Sequence, residues 1–549
     1  MIFRNKFASV CALFLLCYCT TALYAQKYTQ LSALLPMPNR IVEGQAKHPF
    51  VVSSKTRIQT NFERDSFYVN EVQKIFQNRM NQPVKRADKQ KKGSSIVELS
   101  IDPTLQGNEH YNLEVTSKKI RIAGRTKAAI FHGIQTLDQL LLGDVCHTGQ
   151  NVIAPIYIDD EPRFSHRALM LDPARHMLPV KDVKFFIDQM VKYKYNVLQL
   201  HLTDDQGWRI EIKSHPKLTK IGGNCCPDVT GTENGFYTQK ELKEIIDYAA
   251  ERHIEVIPEL DVPGHATAVV AAYPEIRCLP MQKVKQVKGK PIHFMVCANN
   301  EKAYALYDDV IKEVATLFPS SQIHLGGDEA IMEENWCVCD SCQQLMKRLG
   351  YTEERQLMNY FFKNILASVR KYNKKAILWC ELNQIKLPAN EYLFDYPKDV
   401  TLVTWRQDLT LKCIELTEKY GHSLIMSPGE YAYLDYPQLK GDLPEFNNWG
   451  MPITTLKTSY EFDPGFGLPK EKQKHIQGIM GTLWGEAMID INRVTYMAFP
   501  RGLALAEAGW TQMEHRDWNS FKERLFVNLS DLMRTGVSVR VPFEIVERK

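Results

Sequence analysis

Past residue 162 the chain alternates short apolar runs with longer stretches whose apolar residues recur every third or fourth position. Eight runs have strand length: Ala168–Leu171, Val197–Leu202, Ile254–Ile257, Gln322–Leu325, Ala376–Leu378, Leu402–Thr404, Leu424–Met426 and Ile479–Leu483. Helical stripes lie between them. Val183, Phe186, Ile187, Met190 and Val191 form one. Leu242, Ile245, Ile246, Ala249 and Ala250 form another, opened by Thr238-x-x-Glu241, a pair that can satisfy two orphan helix N–H groups reciprocally. Further helices are predicted over Tyr496–Trp510 and Trp518–Arg534. Strands alternating with helices imply a parallel sheet, and eight such units predict a (β/α)8 TIM barrel.

The region before it reads differently. Tyr111, Leu113 and Val115 alternate, as do Ile120 and Ile122 after Ser117-Lys118-Lys119, which predicts a hairpin. Thr126 to Leu142 reads as an amphipathic helix. This gives a small α/β accessory domain over 26–161, with a boundary near Asp159-Asp160-Glu161-Pro162, and a catalytic barrel with a C-terminal helix over 162–549. Residues 1–25 read as a signal peptide: Arg4 and Lys6, an apolar stretch from Val10 to Cys19, then small residues up to Ala25. The stretch is short of the ~20 residues that a membrane span needs. The protein is therefore expected to be exported, to the periplasm or the cell surface, with no transmembrane segment.

Composition adds limits. With 44% hydrophobic and 24% charged residues the chain is ordinary globular material. Its formal charge of +4 falls to about +2 without Arg4 and Lys6, too weak to suggest nucleic acid or an anionic membrane as partner. Of 13 cysteines, three lie in the signal segment. Cys278 and Cys297 bracket a Lys-rich insert and are expected to staple it as a disulfide. Cys337-Val338-Cys339-Asp340-Ser341-Cys342 holds three sulfurs with no matching pair after it. That pattern favours a local disulfide or free thiols over zinc, so neither metal nor cofactor is expected.

The chemistry collects at the strand ends, where a barrel of this kind carries its function. His324-Leu325-Gly326-Gly327-Asp328-Glu329 puts two adjacent carboxylates where a strand breaks into a loop. Such a pair can divide into one proton donor and one lasting charge, as glycosidic bond cleavage requires. The other strand ends offer Asp172 and Arg175; His201, Asp204, Asp205 and Trp208; Glu259, Asp261 and His265; Trp379 and Glu381; Trp405 and Arg406; Tyr433 and Asp435; and Trp484 with Glu486. Indole faces beside carboxylates and an arginine suit a sugar, whose apolar face stacks on rings while its hydroxyls bond charged groups.

Several strings resemble family 20 glycoside hydrolases, the β-N-acetylhexosaminidases. They are Pro162-Arg163-Phe164, Leu171-Asp172-Pro173-Ala174-Arg175-His176, His201-Leu202-Thr203-Asp204-Asp205-Gln206-Gly207-Trp208, Asp261-Val262-Pro263-Gly264-His265 and His324–Glu329. Phe236-Tyr237-Thr238, Tyr433-Leu434-Asp435-Tyr436, Leu483-Trp484-Gly485-Glu486 and Phe499-Pro500-Arg501 extend the likeness, over about residues 30–515. The resemblance implies exo-acting, retaining, substrate-assisted hydrolysis of a terminal β-GlcNAc or β-GalNAc from a glycan, in which the sugar's 2-acetamido oxygen is the nucleophile. It makes Glu329 the general acid and then base, and Asp328 the group that orients the acetamido N–H. Trp379, Trp405 and Trp484 would wall the acetamido pocket and Tyr433 would bond its carbonyl. Arg175, Asp435 and Glu486 would hold the hydroxyls, and Asp204 and His265 would relay to Glu329.

Three positions depart from the family pattern: Ala168 for a glycine, Cys380 for a common acid, and Ser427-Pro428-Gly429-Glu430 without the usual aromatic. Competing readings are release of a disaccharide unit, a non-catalytic glycan-binding barrel, and a metal-dependent hydrolase built on His201, Asp204, His265 and Asp328.

Overall fold

A computed structural model of the chain describes residues 30–44, 48–62, 66–87, 95–148, 151–224, 234–278, 293–381, 396–405, 407–442 and 451–546. The expected signal segment, the Lys-rich insert and Arg406 lie outside the described residues. The chain divides into two compact units, one running up to Arg163 and including Trp510–Gly536, the other comprising Phe164–Gly509 and the residues from Val537 on.

The first unit holds β1 (Arg40–Glu43), β2 (Phe50–Val51), β3 (Arg57–Thr60), β4 (Lys85–Arg86), β5 (Ile96–Ile101), β6 (Tyr111–Val115), β7 (Lys119–Gly124), β8 (Val152–Ile153) and β9 (Ile156–Asp160). Seven of these form a mixed sheet in the order β1-β9-β6-β7-β5-β3-β4, and β2 pairs with β8. The expected hairpin is β6–β7, antiparallel with Leu113 opposite Ile122. The helix Lys127–Thr148 packs on β6 and β7.

The helix Trp518–Arg534, expected with the barrel, groups with this first unit instead. Polar contacts tie it there: Arg524 donates to the Leu34 carbonyl at 2.8 Å, Asn528 to that of Ala33 at 3.0 Å, and Arg79 to Asp531 at 2.5 Å.

The second unit is the expected barrel. Its strands are β10 (His166–Leu171), β11 (Val197–His201), β12 (Glu255–Glu259), β13 (Gln322–His324), β14 (Lys375–Trp379), β15 (Thr401–Thr404), β16 (Ser423–Met426) and β17 (Ile476–Leu483). All pair in parallel, and β17 returns to β10 to close the ring. Side chains of a strand alternate between its faces. One set, Ala168, Met170, Val197, Ile257, Ile377, Trp379, Val403, Ile425 and Met480, forms the packed interior, with Trp405 and Trp484 against it. Truncating such a residue to alanine typically costs ~2–5 kcal/mol.

The helix Val180–Lys192 buries the expected stripe of Val183, Phe186, Ile187, Met190 and Val191. In Gln239–Glu251 the Thr238/Glu241 capping box is formed, while Ala250 faces solvent rather than the core. The helix expected over Tyr496–Trp510 is two, Ile491–Ala498 and Arg501–Trp510. Pro500 explains the break, since it has no N–H and forces the preceding residue out of the helical region; Phe499 has φ −112° and ψ 128°.

Candidate active site

The loop after β13 is built around glycine. A Cβ on Gly326, at φ +64°, would lie 1.9 Å from Asp261 Oδ1, so only glycine fits. Asp261 in turn accepts the Gly327 N–H at 3.2 Å. Beyond the turn Asp328 is buried and Glu329 is exposed. Glu329 and His265 adopt φ of +44° and +48°, a left-handed conformation that non-glycine residues rarely take and that gathers at functional sites.

Beneath the pair runs a file of alternating charges. Glu259, at the end of β12 and fully buried, lies 3.0 Å from His201 Nδ1 and 3.2 Å from His324 Nδ1. It also accepts N–H bonds from Gln199 at 2.7 Å and from the Trp379 indole at 2.9 Å. His201 Nε2 is 2.8 Å from Asp204 Oδ2, and Asp204 Oδ1 is 3.1 Å from His265 Nδ1. His265 Nε2 then stands 3.8 Å from Glu329 and 4.0 Å from Asp328.

Burial disfavours each charge in this file, and neighbours reverse it. Burial raises Asp204, but Arg175 and the histidines hold it well below the carboxylate range. Burial lowers His265, but Asp204 and Asp261 carry it well above the ordinary imidazole value. Asp328 is raised, first by burial, with His265 opposing and Glu329 adding to the rise. Its Oδ1 is buried with no hydrogen-bond partner among the described residues, an acceptor with bonding capacity left over.

On the opposite side of the mouth Arg175 donates to Asp172 at 2.8 Å, lies 2.7 Å from Asp204 and 4.0 Å from Glu486, and stacks over the Trp484 ring at 5.1 Å. Burial raises both Asp435 and Glu486. Two further buried arginines fix the loops that present these groups. Arg209 donates to the carbonyls of Pro173 and Ala174, beside Arg175. Arg501 donates to those of Leu434 and Tyr436, either side of Asp435.

Together the strand ends enclose a cavity of about 420 Å³ lined by Arg175, His265, Asp328, Glu329, Trp405, Tyr433, Asp435, Trp484 and Glu486, with His293, Tyr436 and Met451. Residues 164–513 match the family model "Glycosyl hydrolase family 20, catalytic domain", and residues 31–161 match "Glycosyl hydrolase family 20, domain 2". The chain belongs to glycosyl hydrolase family 20. It is 39% identical over 433 residues to a β-hexosaminidase of Akkermansia muciniphila, covering 77% of this chain and 83% of the relative. A β-hexosaminidase of Porphyromonas gingivalis is 31% identical over 552 residues, covering 97% and 68%. Among solved structures, the exo-β-N-acetylglucosaminidase of Vibrio harveyi in complex with N-acetylglucosamine superposes with a TM-score of 0.79 at 29% identity, covering 93% of this chain and 79% of that one.

In this family 20 glycoside hydrolase nine of the eleven expected site residues line the cavity. The other two stand behind them: Asp204 reaches the cavity through Arg175 and His265, and Trp379 packs on Trp484 at 5.7 Å. Trp208, at a strand end in the sequence, is instead core, its indole bonded to the Ile210 carbonyl. The sequence reading assigned no role to Glu259 or His293. Glu259 carried a signal as a polar residue ending an apolar strand. His293, 2.6 Å from Asp205, carried none.

The expected Cys278–Cys297 disulfide is corrected, while Cys337, Cys339 and Cys342 form no disulfide, in keeping with the free-thiol alternative. Cys278 and Cys297 are not bonded to each other, and both are free thiols in a four-sulfur cluster with Cys339 and Cys342. The pair missing after the Cys337–Cys342 motif precedes it in the chain. No helix among the described residues is long and apolar enough to cross a membrane.

Proposed function

We propose that this hydrolase removes single terminal β-N-acetylhexosamine residues with retention of configuration, through the substrate's own 2-acetamido group. One observation carries the reading: Asp328 is buried with an oxygen that meets no donor among the described residues, and Glu329 beside it reaches out with its side chain 60% exposed. An acetamido N–H meets the acceptor that Asp328 offers. Held there, its carbonyl oxygen attacks the anomeric carbon while Glu329 gives a proton to the leaving oxygen. The resulting oxazolinium carries positive charge, which ionised Asp328 offsets. Glu329, now a carboxylate, takes a proton from water as that water opens the ring, and two inversions amount to retention.

Trp405, Tyr433 and Trp484 supply apolar walls, and Arg175, Asp435 and Glu486 supply hydrogen-bond partners for the hydroxyls. The relatives' bound N-acetylglucosamine supports the same sugar class. We further infer export by residues 1–25, which N-terminal sequencing of the mature protein tests. The function is tested by following an oligosaccharide with terminal β-GlcNAc or β-GalNAc by proton NMR. The expected first product is one N-acetylhexosamine from the non-reducing end, as the β anomer. A disaccharide, or the α anomer first, would overturn the proposal.

A further inference from the structure

Four cysteines meet in the barrel unit, and none of them lines the sugar cavity. Cys278 and Cys297 flank the bridge between Arg277 and Val296 in the loop after β12. Cys339 caps the helix Asp340–Leu349 in the loop after β13, and Cys342 lies in its first turn. All four are buried, at 7%, 3%, 1% and 0% exposure.

Their sulfurs lie within 4.8 Å of one another. Cys278 and Cys342 are 3.9 Å apart, Cys297 and Cys339 3.9 Å, and Cys297 and Cys342 3.6 Å. A tetrahedron of sulfurs around zinc, with Zn–S bonds of ~2.3 Å, has edges of about 3.8 Å. Disulfides would sort the sulfurs into two exclusive couples, yet Cys342 approaches both Cys278 and Cys297, and Cys297 approaches both Cys339 and Cys342. We propose that Cys278, Cys297, Cys339 and Cys342 hold a structural zinc ion.

The donor set fits that ion. Four sulfurs and no oxygen exclude magnesium and calcium, which take oxygen ligands. Four protein ligands leave no open position, which marks a structural and not a catalytic site. The Cys339-Asp340-Ser341-Cys342 knuckle sits on a helix N-terminus, where backbone N–H groups favour thiolates. Cys337, the remaining cysteine of the motif, stands outside the cluster.

The site would join the loop that carries His265 and His293 to the loop that carries Asp328 and Glu329. Neighbouring bonds already tie the same two loops: Trp336 donates to the Val296 carbonyl at 2.9 Å and Asn335 to that of His293 at 3.2 Å. The zinc thus acts as a clamp behind the catalytic pair and takes no part in the bond cleavage.

The test is metal analysis by inductively coupled plasma mass spectrometry on the full chain, purified without added metal or chelator. One zinc per chain is expected, retained in Cys337→Ser and lost in Cys339→Ser and Cys342→Ser. Should those variants fail to fold, wild-type protein produced in cobalt medium must show the thiolate charge-transfer and tetrahedral ligand-field bands of a cobalt tetrathiolate. Zinc retained in a folded Cys339→Ser/Cys342→Ser double variant would overturn the proposal. So would iron in place of zinc, or metal-free protein whose peptide map joins these four cysteines by disulfides.

Discussion

Arg79 in the first unit and Arg175 in the barrel are both buried guanidiniums set between two aspartates, but their surroundings differ in kind. Arg79 meets Asp138 twice, at 2.7 Å through Nε and 2.7 Å through Nη2, and Asp531 at 2.5 and 3.0 Å. Four of its five N–H donors go to these two carboxylates, Arg534 lies 2.5 Å from Asp531 and balances the charge, and what the cluster does is hold the helix Trp518–Arg534 to the helix Ser66–Met80. Arg175 has equally short contacts with Asp172 and Asp204, but it stands 4.0 Å from Glu486 and opens on the cavity. Around it carboxylates outnumber cations, and their ionisation is driven apart. Asp204 and Glu259 are held down by histidines and Arg175, while burial raises Asp328, Asp435 and Glu486. A balanced cluster stabilises a fold. An unbalanced one facing a cavity has polar capacity left for a ligand.

Substitutions can break that contrast. The largest expected effect is at Glu329→Gln, which removes the proton donor and leaves the fold. Turnover of substrates with poor leaving groups should fall about 10²–10⁴-fold, while activated aryl glycosides, which need less protonation, lose far less in the first step. Equal losses on both would contradict the acid role.

Arg79→Ala comes next, since it leaves half-buried Asp138 without its cation and buried Asp531 with Arg534 alone. Unfolding by denaturant should show a loss of ~3–5 kcal/mol, with kcat/KM of the folded enzyme unchanged. A changed kcat/KM at normal stability would erase the distinction between the two clusters. Asp328→Asn keeps a hydrogen-bond acceptor but not the charge, and kcat should drop about 10²–10³-fold without loss of melting temperature.

The smallest change is a shift in pH profile. His265 stays cationic because Asp204 and Asp261 outweigh its burial, and that cation favours the ionised form of Asp328. In His265→Gln the cation is gone, Asp328 binds its proton more tightly, and the acid limb of kcat/KM moves to higher pH. A limb that stays put, or moves to lower pH, would remove His265 from the file of charges.

The barrel was legible in the sequence because each strand carries a short, mainly apolar core flanked by helical stripes, the alternation of a parallel sheet. Each of the eight expected runs overlaps an observed strand, and the groups after them fall at one mouth because parallel strands all end on one side. What remained hidden depends on contacts between distant residues. Glu259 looks like one more strand-end acid until Gln199, His201, His324 and Trp379, from three other strands, converge on it. The Cys278–Cys297 couple looked like a staple because the sequence does not bring Cys339 and Cys342 to it. The helix Trp518–Arg534 looked like part of the barrel because Arg79 and Asp531 stand 452 positions apart. The break at Pro500, by contrast, is written in the sequence, since proline has no N–H to continue a helix.

The central claim is that the nucleophile belongs to the substrate and that Asp328 serves it. Successive fluorination of the N-acetyl methyl group withdraws electron density from the carbonyl oxygen without touching the protein. With chemistry rate-limiting, kcat/KM for a series of aryl β-N-acetylglucosaminides bearing zero to three fluorines should fall steeply with each fluorine. A flat series, or a covalent glycosyl adduct on a protein carboxylate trapped by mass spectrometry, would contradict the account.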